Sequence, residues 1–329
     1  MVISSGFPDI LQTNLFDRTV TTTKTNLAKA SNELVTGRKS DLSRALGAQV
    51  GEYNFVVKAR ADIESANTRL NLANNRFAQI DNSLNAVKNV VGGFSIQART
   101  DFVLGGPQGL KQTQNSAEAI LASTISALNT THAGRRLFSG DATGSPALAD
   151  IDSFLTSIET ALGGATDSAT VGATLSAYFA PGGGFDTDVY IGGDGEAATI
   201  LLPTGAEVRY ETKADNQAFK DIFEGLARII FAPDDVDNAW VNDAASLVER
   251  GEAELLVLQS SVGRFQNLVD QSIELGETED NILANTEERL VGVDAYEAAS
   301  EVQRLEVQLE AAYTVSARLA NLTLVNFIR

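Results

Sequence analysis

The sequence contains no cysteine and only one histidine, one methionine and one tryptophan. Without cysteine there can be no disulfide, no thiolate metal site and no cysteine nucleophile. The single histidine, His132, excludes a multi-histidine metal site within one chain, and any serine–histidine dyad would have to run through it. Positive charge is also scarce: 25 Lys and Arg stand against 43 Asp and Glu, a formal net charge of −18. That balance argues against non-specific nucleic-acid binding, which needs a basic footprint, and against docking on an anionic membrane face. No stretch approaches the roughly 18 uninterrupted apolar residues of a membrane span. The opening residues, Met1-Val2-Ile3-Ser4-Ser5-Gly6-Phe7-Pro8-Asp9, lack a basic region, and the first basic residue is Arg18. They do not read as a cleavable signal peptide. These absences point away from an enzyme and away from cofactor or metal chemistry. They leave a chain that stays in the cytoplasm or is exported by a machine that cleaves no signal.

The acidity is unevenly placed. Residues 1–140 carry 15 basic and 10 acidic side chains, a net of +5, whereas residues 141–329 carry 10 basic and 33 acidic, a net of −23. Such asymmetry argues that the halves are not copies of one module. It also suggests attraction between them, within one subunit or between subunits.

What the chain has in quantity is helical periodicity. Val56, Ala59, Ile63, Ala66, Leu70, Ala73, Phe77, Ile80, Leu84, Val87, Val91, Phe94 and Ala98 step by three and four over six heptads, a coiled-coil or long-bundle pattern about 65 Å long. Gly92-Gly93 marks a weak point, and Gly105-Gly106-Pro107 separates a second helix, expected over 107–132 and burying Leu110, Ala117, Leu121, Ile125 and Leu128. Later, Leu255, Leu258, Val262, Phe265 and Val269 share a stripe that continues less cleanly through Ile282, Leu283 and Leu290. Beyond Gly292 it resumes with Val302, Leu305, Leu309, Ala312, Leu319, Leu322 and Asn326. At the other end Ile10, Val20, Leu27 and Leu34 lie on helical spacing among threonines. These two outer stripes are narrow, and a lone helix of this kind is marginal in water; each needs a partner.

The middle differs in kind. Residues 141–149 read as a linker, with short helices around 151–162 and 167–179. Val189–Ile191, Thr199–Leu202 and Glu207–Tyr210 are β-rich and separated by glycine turns, a hairpin or meander pattern. A helix from about Asn216 to Phe231 follows. Candidate chemical sites here have bland readings. Gly193-Asp194-Gly195-Glu196 resembles a dinucleotide loop fragment, but that motif needs a helix after it, and a β-turn is expected. Asp186, Asp188 and Asp194 lack the ligand spacing of a calcium loop because Tyr190 and Ile191 occupy its key places. His132 reads as a residue near a helix end, Asp234, Asp235 and Asp237 as a polar turn, and Glu274, Glu277, Glu279 and Asp280 as a solvated face or a surface for a basic partner.

A resemblance enters at both ends. Leu27-Ala28-Lys29-Ala30-Ser31-Asn32-Glu33-Leu34-Val35-Thr36-Gly37-Arg38-Lys39 resembles the leucine-rich N-terminal signature of bacterial flagellins, which closes on a glycine and two basic residues. The segment from Leu309 through Tyr313, Ser316, Arg318, Leu319, Leu322 and Asn326 to Phe327 is similar to the C-terminus of that family. Gly134-Arg135-Arg136-Leu137-Phe138-Ser139-Gly140 is similar to a stretch carried by hook-associated members and usually missing from filament members. One departure is visible: the acidic patch that usually follows the glycine-basic turn is shortened to Ser40-Asp41-Leu42-Ser43-Arg44.

The resemblance implies export through the flagellar type III channel without a cleaved signal peptide, and an extracellular place in the bacterial flagellum. It implies outer helices that are disordered in the free subunit and form a coiled coil on assembly, with Leu27, Leu34, Leu305, Leu309, Leu319, Leu322, Val325 and Phe327 as the assembly interface. Expected partners are further copies in a ring-like layer, a hook-side hook-associated protein, filament flagellin, and an export chaperone on the C-terminal helices; nucleic acid and membrane are not expected. The expected fold is mainly α with an inserted α+β domain, a long antiparallel helical bundle or coiled-coil rod built from both termini. Its expected divisions are 1–45 with 291–329 as the assembly core, 46–140 with 246–290 as a helical rod, and 141–245 as the inserted outer domain. The expected role is a structural subunit joining hook to filament, without catalysis. The alternatives are a filament flagellin and a cytoplasmic acidic coiled-coil scaffold.

Overall fold

The computed structural model describes residues 6–327 apart from 196–198, 204, 210 and 211; for residues 6–13 and 319–327 the backbone alone is described. The chain is mainly α-helical and divides into two compact units, Met1–Glu64 with Glu277–Arg329, and Ser65–Gly276.

The first unit holds α1 (Gly6–Thr36), α2 (Leu42–Leu46), the start of α3 (Val50–Val91), the end of α8 (Asn238–Val291) and α9 (Ala295–Phe327). The threonines of α1 fit a helix because their hydroxyls donate to carbonyls one turn back: Thr19 to Leu15, Thr22 to Arg18, Thr23 to Thr19 and Thr25 to Thr21, at 2.8–3.0 Å. This local bonding satisfies a residue type that otherwise competes with helical structure. At the start of α9, Asp294 accepts from the backbone of Tyr296 and Glu297, supplying the orphan donors of a helix start with an acceptor. α1 and α9 run antiparallel. The Gly37 carbonyl accepts from the Val293 amide at 2.9 Å, and thirteen residues back along α1 the Lys24 ammonium lies over the Tyr313 ring. A small apolar cluster of Leu46, Leu290 and Val291, flanked by Leu42 and Tyr53, closes the base of this unit.

In the second unit the long stripe is buried as its spacing predicts: Leu70, Phe77, Ile80, Leu84, Val87, Val91, Phe94 and Ala98 are all in the core. α3 pairs antiparallel with α8. Asn74 donates to Asp270, Phe77 stacks on Phe265, and Gln259 donates to Asn85. Gly93, at φ 82°, ends this helix and turns the chain into α4 (Phe94–Leu128). Gly106 then breaks α4 sharply, with φ 55° and ψ −145°. A straight helix would separate Asp101 from Thr113 by about 18 Å, yet the Thr113 hydroxyl donates to the Asp101 carboxylate at 2.7 Å. The chain therefore doubles back on itself at the glycine pair. Gly109 permits it, since a Cβ there would meet the Asp101 carbonyl oxygen at 2.1 Å.

The helix expected to reach residue 132 stops at Leu128. Asn129 turns its side chain to the linker instead, accepting from the amides of Ala147 and Leu148 and donating to the Leu148 carbonyl. Thr131–His132 (β1) then pairs with Arg135–Arg136 (β2) across Ala133 and Gly134, both at positive φ, as a two-residue hairpin turn requires. His132 is thus a hairpin residue rather than a helix-end residue.

The two short helices form as predicted, α5 (Ile151–Leu162) and α6 (Ser168–Phe179), each capped by the preceding aspartate, Asp150 and Asp167. Of the three β-rich segments, two pair as a hairpin, β3 (Ile200–Leu201) with β4 (Glu207–Val208). The third is a correction: Phe185–Val189 forms a π-helical turn, and Tyr190 makes a single bridge to Leu148. α7 (Gln217–Ile230), capped by Asn216, is buried nearly all round. Its polar residues survive there because each has an opposite charge: Lys220 with Asp186, Glu224 with Arg228, and Asp221 with Arg250. Phe154 is the hub of the aromatic core, with ring centroids of Phe179, Phe185 and Phe223 at 5.5–6.2 Å.

Candidate assembly surface

The outer helices carry the site. On α1 the inward positions are Phe16, Val20, Thr23, Leu27 and Ala30, of which Thr23 and Ala30 are buried and the others half-buried. On α9 they are Ala298, Val302, Leu305, Leu309, Ala312 and Ser316, with Ala298 and Leu305 buried. Both series step alternately by three and four, the spacing of a two-helix coil. The seam is lean, because several of its positions hold Thr, Ala or Ser.

A second apolar population lies outside the seam. Leu15, Val35, Tyr296, Val307, Tyr313 and Val315 are exposed, Val35 to 84% and Val307 to 66%. Between the helices an open groove of about 550 Å³ is lined by Leu27, Leu309, Tyr313 and Ala317 and rimmed by Glu306 and Glu310. The Lys24 ammonium, 5.4 Å from the Tyr313 ring centre, lies beside it.

At the base of the coil the two crossing chains are tied together. Arg38 bridges Gly292, and the Lys39 amide donates to the Val291 carbonyl at 2.9 Å. Gly37 takes φ 69° to make the turn, the left-handed conformation that glycine adopts without cost. An ion network fastens the crossing. The Glu287 carboxylate, only 6% exposed, accepts from both Arg38 and Arg60, and Arg60 also donates twice to Asp280 at 2.8 and 3.2 Å. Burial pushes Glu287 up, but the two guanidiniums outweigh it and hold the carboxyl below its usual range. Hydrogen bonding from Arg60 does the same for Asp280, and both carboxylates raise Arg60.

Among the residues expected at the interface, Leu27 and Leu309 come together in the groove, and Leu305 is buried in the seam. Leu34 is 37% exposed near the end of α1. The groove sets Leu27 beside Leu309. Leu319, Leu322, Val325 and Phe327 lie on α9 with side chains outside the described residues. Thr23, Ala30 and Ala298 were not expected in the seam; the alternating three-four count from Phe16 is the signal that finds them. The network around Glu287 joins residues more than 200 positions apart and has no local signal.

Of the acidic residues singled out as possible metal or turn residues, Asp186, Asp188, Asp235 and Asp237 have protein partners. Asp186 pairs with Lys220 at 2.5 Å, and Asp188 accepts from Ser157 and Thr187. Asp235 accepts from the Ser168 amide and hydroxyl, and Asp237 caps the first turn of α8 through the Trp240 amide. Gly193–Gly195 wraps the Asp141 carboxylate, with the Gly195 amide at 3.3 Å, and leads to β3 and not to a helix. Among the described residues no group of three or more His, Asp or Glu side chains is gathered to hold a metal ion, and no helix is long and apolar enough to cross a membrane.

Residues 246–328 match the family model of the bacterial flagellin C-terminal helical region, a span that takes in the latter part of α8 and α9. No curated protein matches the chain. Among solved structures, the chain is similar to one from Vibrio parahaemolyticus assigned as a flagellar hook-associated protein, at 14% identity over 79% of this chain and 96% of that one, with a TM-score of 0.43. It is also similar to Bacillus cereus FlgL, at 14% identity over 75% of this chain and 97% of that one, with a TM-score of 0.35.

Proposed function

We propose that the chain is a structural subunit of the bacterial flagellum that assembles through its first and last helices, and that it joins hook to filament. One observation carries the reading: a flagellin-like C-terminal segment folds back on α1 into a lean two-helix coil whose outer faces still display Leu15, Val35, Val307 and Val315. A solitary coil has no use for apolar residues on its solvent side, whereas packed neighbours bury them. The residues proposed to meet neighbours or complete the coil are Leu27, Leu34, Leu305, Leu309, Leu319, Leu322, Val325 and Phe327. The proposed divisions are 1–45 with 291–329 as assembly core, 46–140 with 246–290 as rod, and 141–245 as outer domain. In this reading the protein is exported through the flagellar channel without a cleaved signal and held by an export chaperone beforehand. It forms a ring-like layer between a hook-associated protein and filament flagellin.

The junction role, as opposed to a filament role, is supported by Gly134–Gly140: Gly134 sits in the β1–β2 turn, and Leu137, Phe138 and Ser139, buried after β2, lead to Asp141, which Gly193–Gly195 wraps. Gene deletion followed by electron microscopy tests it. Hooks without filaments, with flagellin monomers in the medium, are expected. Filaments of normal length on the deletion strain refute the junction role, and thousands of copies along the filament assign the chain as a flagellin.

A further inference from the structure

The coil of α1 and α9 carries charges on its flanks that its own pairing leaves unanswered. On α1, Leu15, Arg18, Thr22 and Lys29 follow one another at steps of three, four and seven, which puts them on one face of the helix. All are exposed, Leu15 to 60%. Counted at about 3.6 residues per turn, this face lies well away from the seam of Phe16, Val20, Thr23, Leu27 and Ala30, on the far side of the helix from Lys24. Among the described residues neither Arg18 nor Lys29 makes an ion pair.

The other flank, where Lys24 lies, has the reverse character. Glu306, Glu310, Tyr313 and Ala317, spaced four, three and four on α9, share one face and form the wall of the groove that Leu27 and Leu309 floor. Both carboxylates are exposed, and among the described residues neither makes an ion pair. Lys24 sits at the α1 edge of the groove over the Tyr313 ring, which leaves the α9 edge anionic. One flank of the coil therefore presents a leucine followed one turn later by a cation. The opposite flank presents an apolar groove edged by two carboxylates one turn apart.

We propose that this groove takes the α1 face of a second copy of the chain, with Leu15 against Tyr313 and Ala317 and Arg18 against Glu310 and Glu306. The occupant is a second copy because the complementary groups lie on opposite flanks of one coil, so no subunit can satisfy its own. A contact between two different faces of the same subunit is heterologous: repeated, it closes into a ring or winds into a helix, as a layered assembly requires. The contact rests on the self-assembling subunit proposed above and names one of its interfaces. Charge complementarity of this kind sets register and partner choice and weakens with salt.

Because the chain has no cysteine, introduced cysteines report without background. The full-length chain carrying Leu15→Cys and Ala317→Cys is expressed in cells lacking the unaltered gene, and assembled material is oxidised and run on a non-reducing gel. The two positions face opposite flanks of one coil, so the link forms only between copies. A ladder of covalent dimers, trimers and longer species is expected, and neither cysteine alone should give it. In parallel, Arg18→Glu with Lys29→Glu should lower the assembled fraction about tenfold or more, as should Glu306→Arg with Glu310→Arg, and the four changes together should restore it. These side chains are exposed and have no ion pair to lose among the described residues, so the variants keep the fold, which circular dichroism checks. A missing ladder, unchanged assembly of the charge-reversed variants, or no recovery when the four changes are combined overturns the contact while leaving the subunit reading standing. Absence of any assembled material from the unaltered chain overturns both.

Discussion

The coil of α1 and α9 makes a sharp prediction because Leu305 and Val307, two residues apart, have opposite surroundings: Leu305 is buried in the seam and Val307 points away from it. Truncating a buried leucine to alanine costs about 2–5 kcal/mol in a closed core. Here the seam is only two helices wide and water reaches both flanks, so the vacated space refills easily and the lower end applies, about 2 kcal/mol. At 1.4 kcal/mol per factor of ten, that is a fall of roughly thirtyfold in the closed-to-open ratio of the coil. Amide hydrogen exchange in the unassembled chain measures it directly. In Leu305→Ala the amides of residues 16–30 should exchange about thirtyfold faster, while those of residues 70–91, buried in the other unit, keep their rates. Val307→Ala should leave both sets within a factor of about two, the size of an ordinary surface change. Equal acceleration by the two substitutions would refute the assignment of seam and outer face. Unchanged exchange in Leu305→Ala would show that the two helices do not depend on each other.

Other outcomes follow from the same geometry. Val307→Asp should fold as the unaltered chain does, yet fail to assemble, read as loss of the protein from purified flagella. Glu287→Gln removes the negative charge shared by Arg38 and Arg60 and replaces one of its two acceptor oxygens with a donor; since Arg38 is about half exposed and Arg60 about a third, the loss should be near 1–2 kcal/mol, below the 3–5 of a fully buried pair, in urea melts followed by exchange at the coil base. Because Asp280 and Glu287 are held below the usual carboxylate range, their stabilisation is present above the unfolded carboxylate values near 4 and is lost as pH falls through the folded ones. Exchange at residues 37–41 should therefore accelerate on acidification more in the unaltered chain than in Glu287→Gln. Gly109→Ala places a Cβ 2.1 Å from a backbone oxygen and should cost about 1–3 kcal/mol, seen as a lower melting temperature.

Much of the fold is legible locally. The stripe from Val56 to Ala98 announces its helices because one face faces a core along the whole length, and Asp150, Asp167 and Asn216 announce helix starts because a short side-chain acceptor meets orphan amides there. The glycines at 92–93 and 105–106 announce breaks but not their angles; the reversal at Gly106 depends on how closely Gly109 approaches Asp101, which no pattern of sequence carries. The π-turn at Phe185–Val189 defeats a β reading because Phe185 and Val189, both buried, are four apart, a spacing that puts residues on one side of a helical turn and of a strand alike. The assembly surface is legible only in part. Large apolar residues mark Leu27, Leu305 and Leu309, but the small ones that let the helices approach, Thr23, Ala30 and Ala298, look like surface in composition.

That mixture of small seam and apolar exterior has a consequence for how the coil folds. Filling the seam with leucine at the positions of Thr23 and Ala30 would add burial at about 0.8 kcal/mol per methylene and make the pair hold alone. The sequence places its larger groups, Leu15, Val35, Val307 and Val315, where α1 and α9 cannot bury them against each other. Ordering the backbone costs about 1–2 kcal/mol per residue, and a two-helix seam of alanine, serine and threonine with few leucines offsets little of it. The remainder must come from surfaces outside the pair. Folding of these helices is thereby coupled to the presence of neighbours, with the Glu287 network holding the base of the coil in register so that the helices close along one path when neighbours arrive.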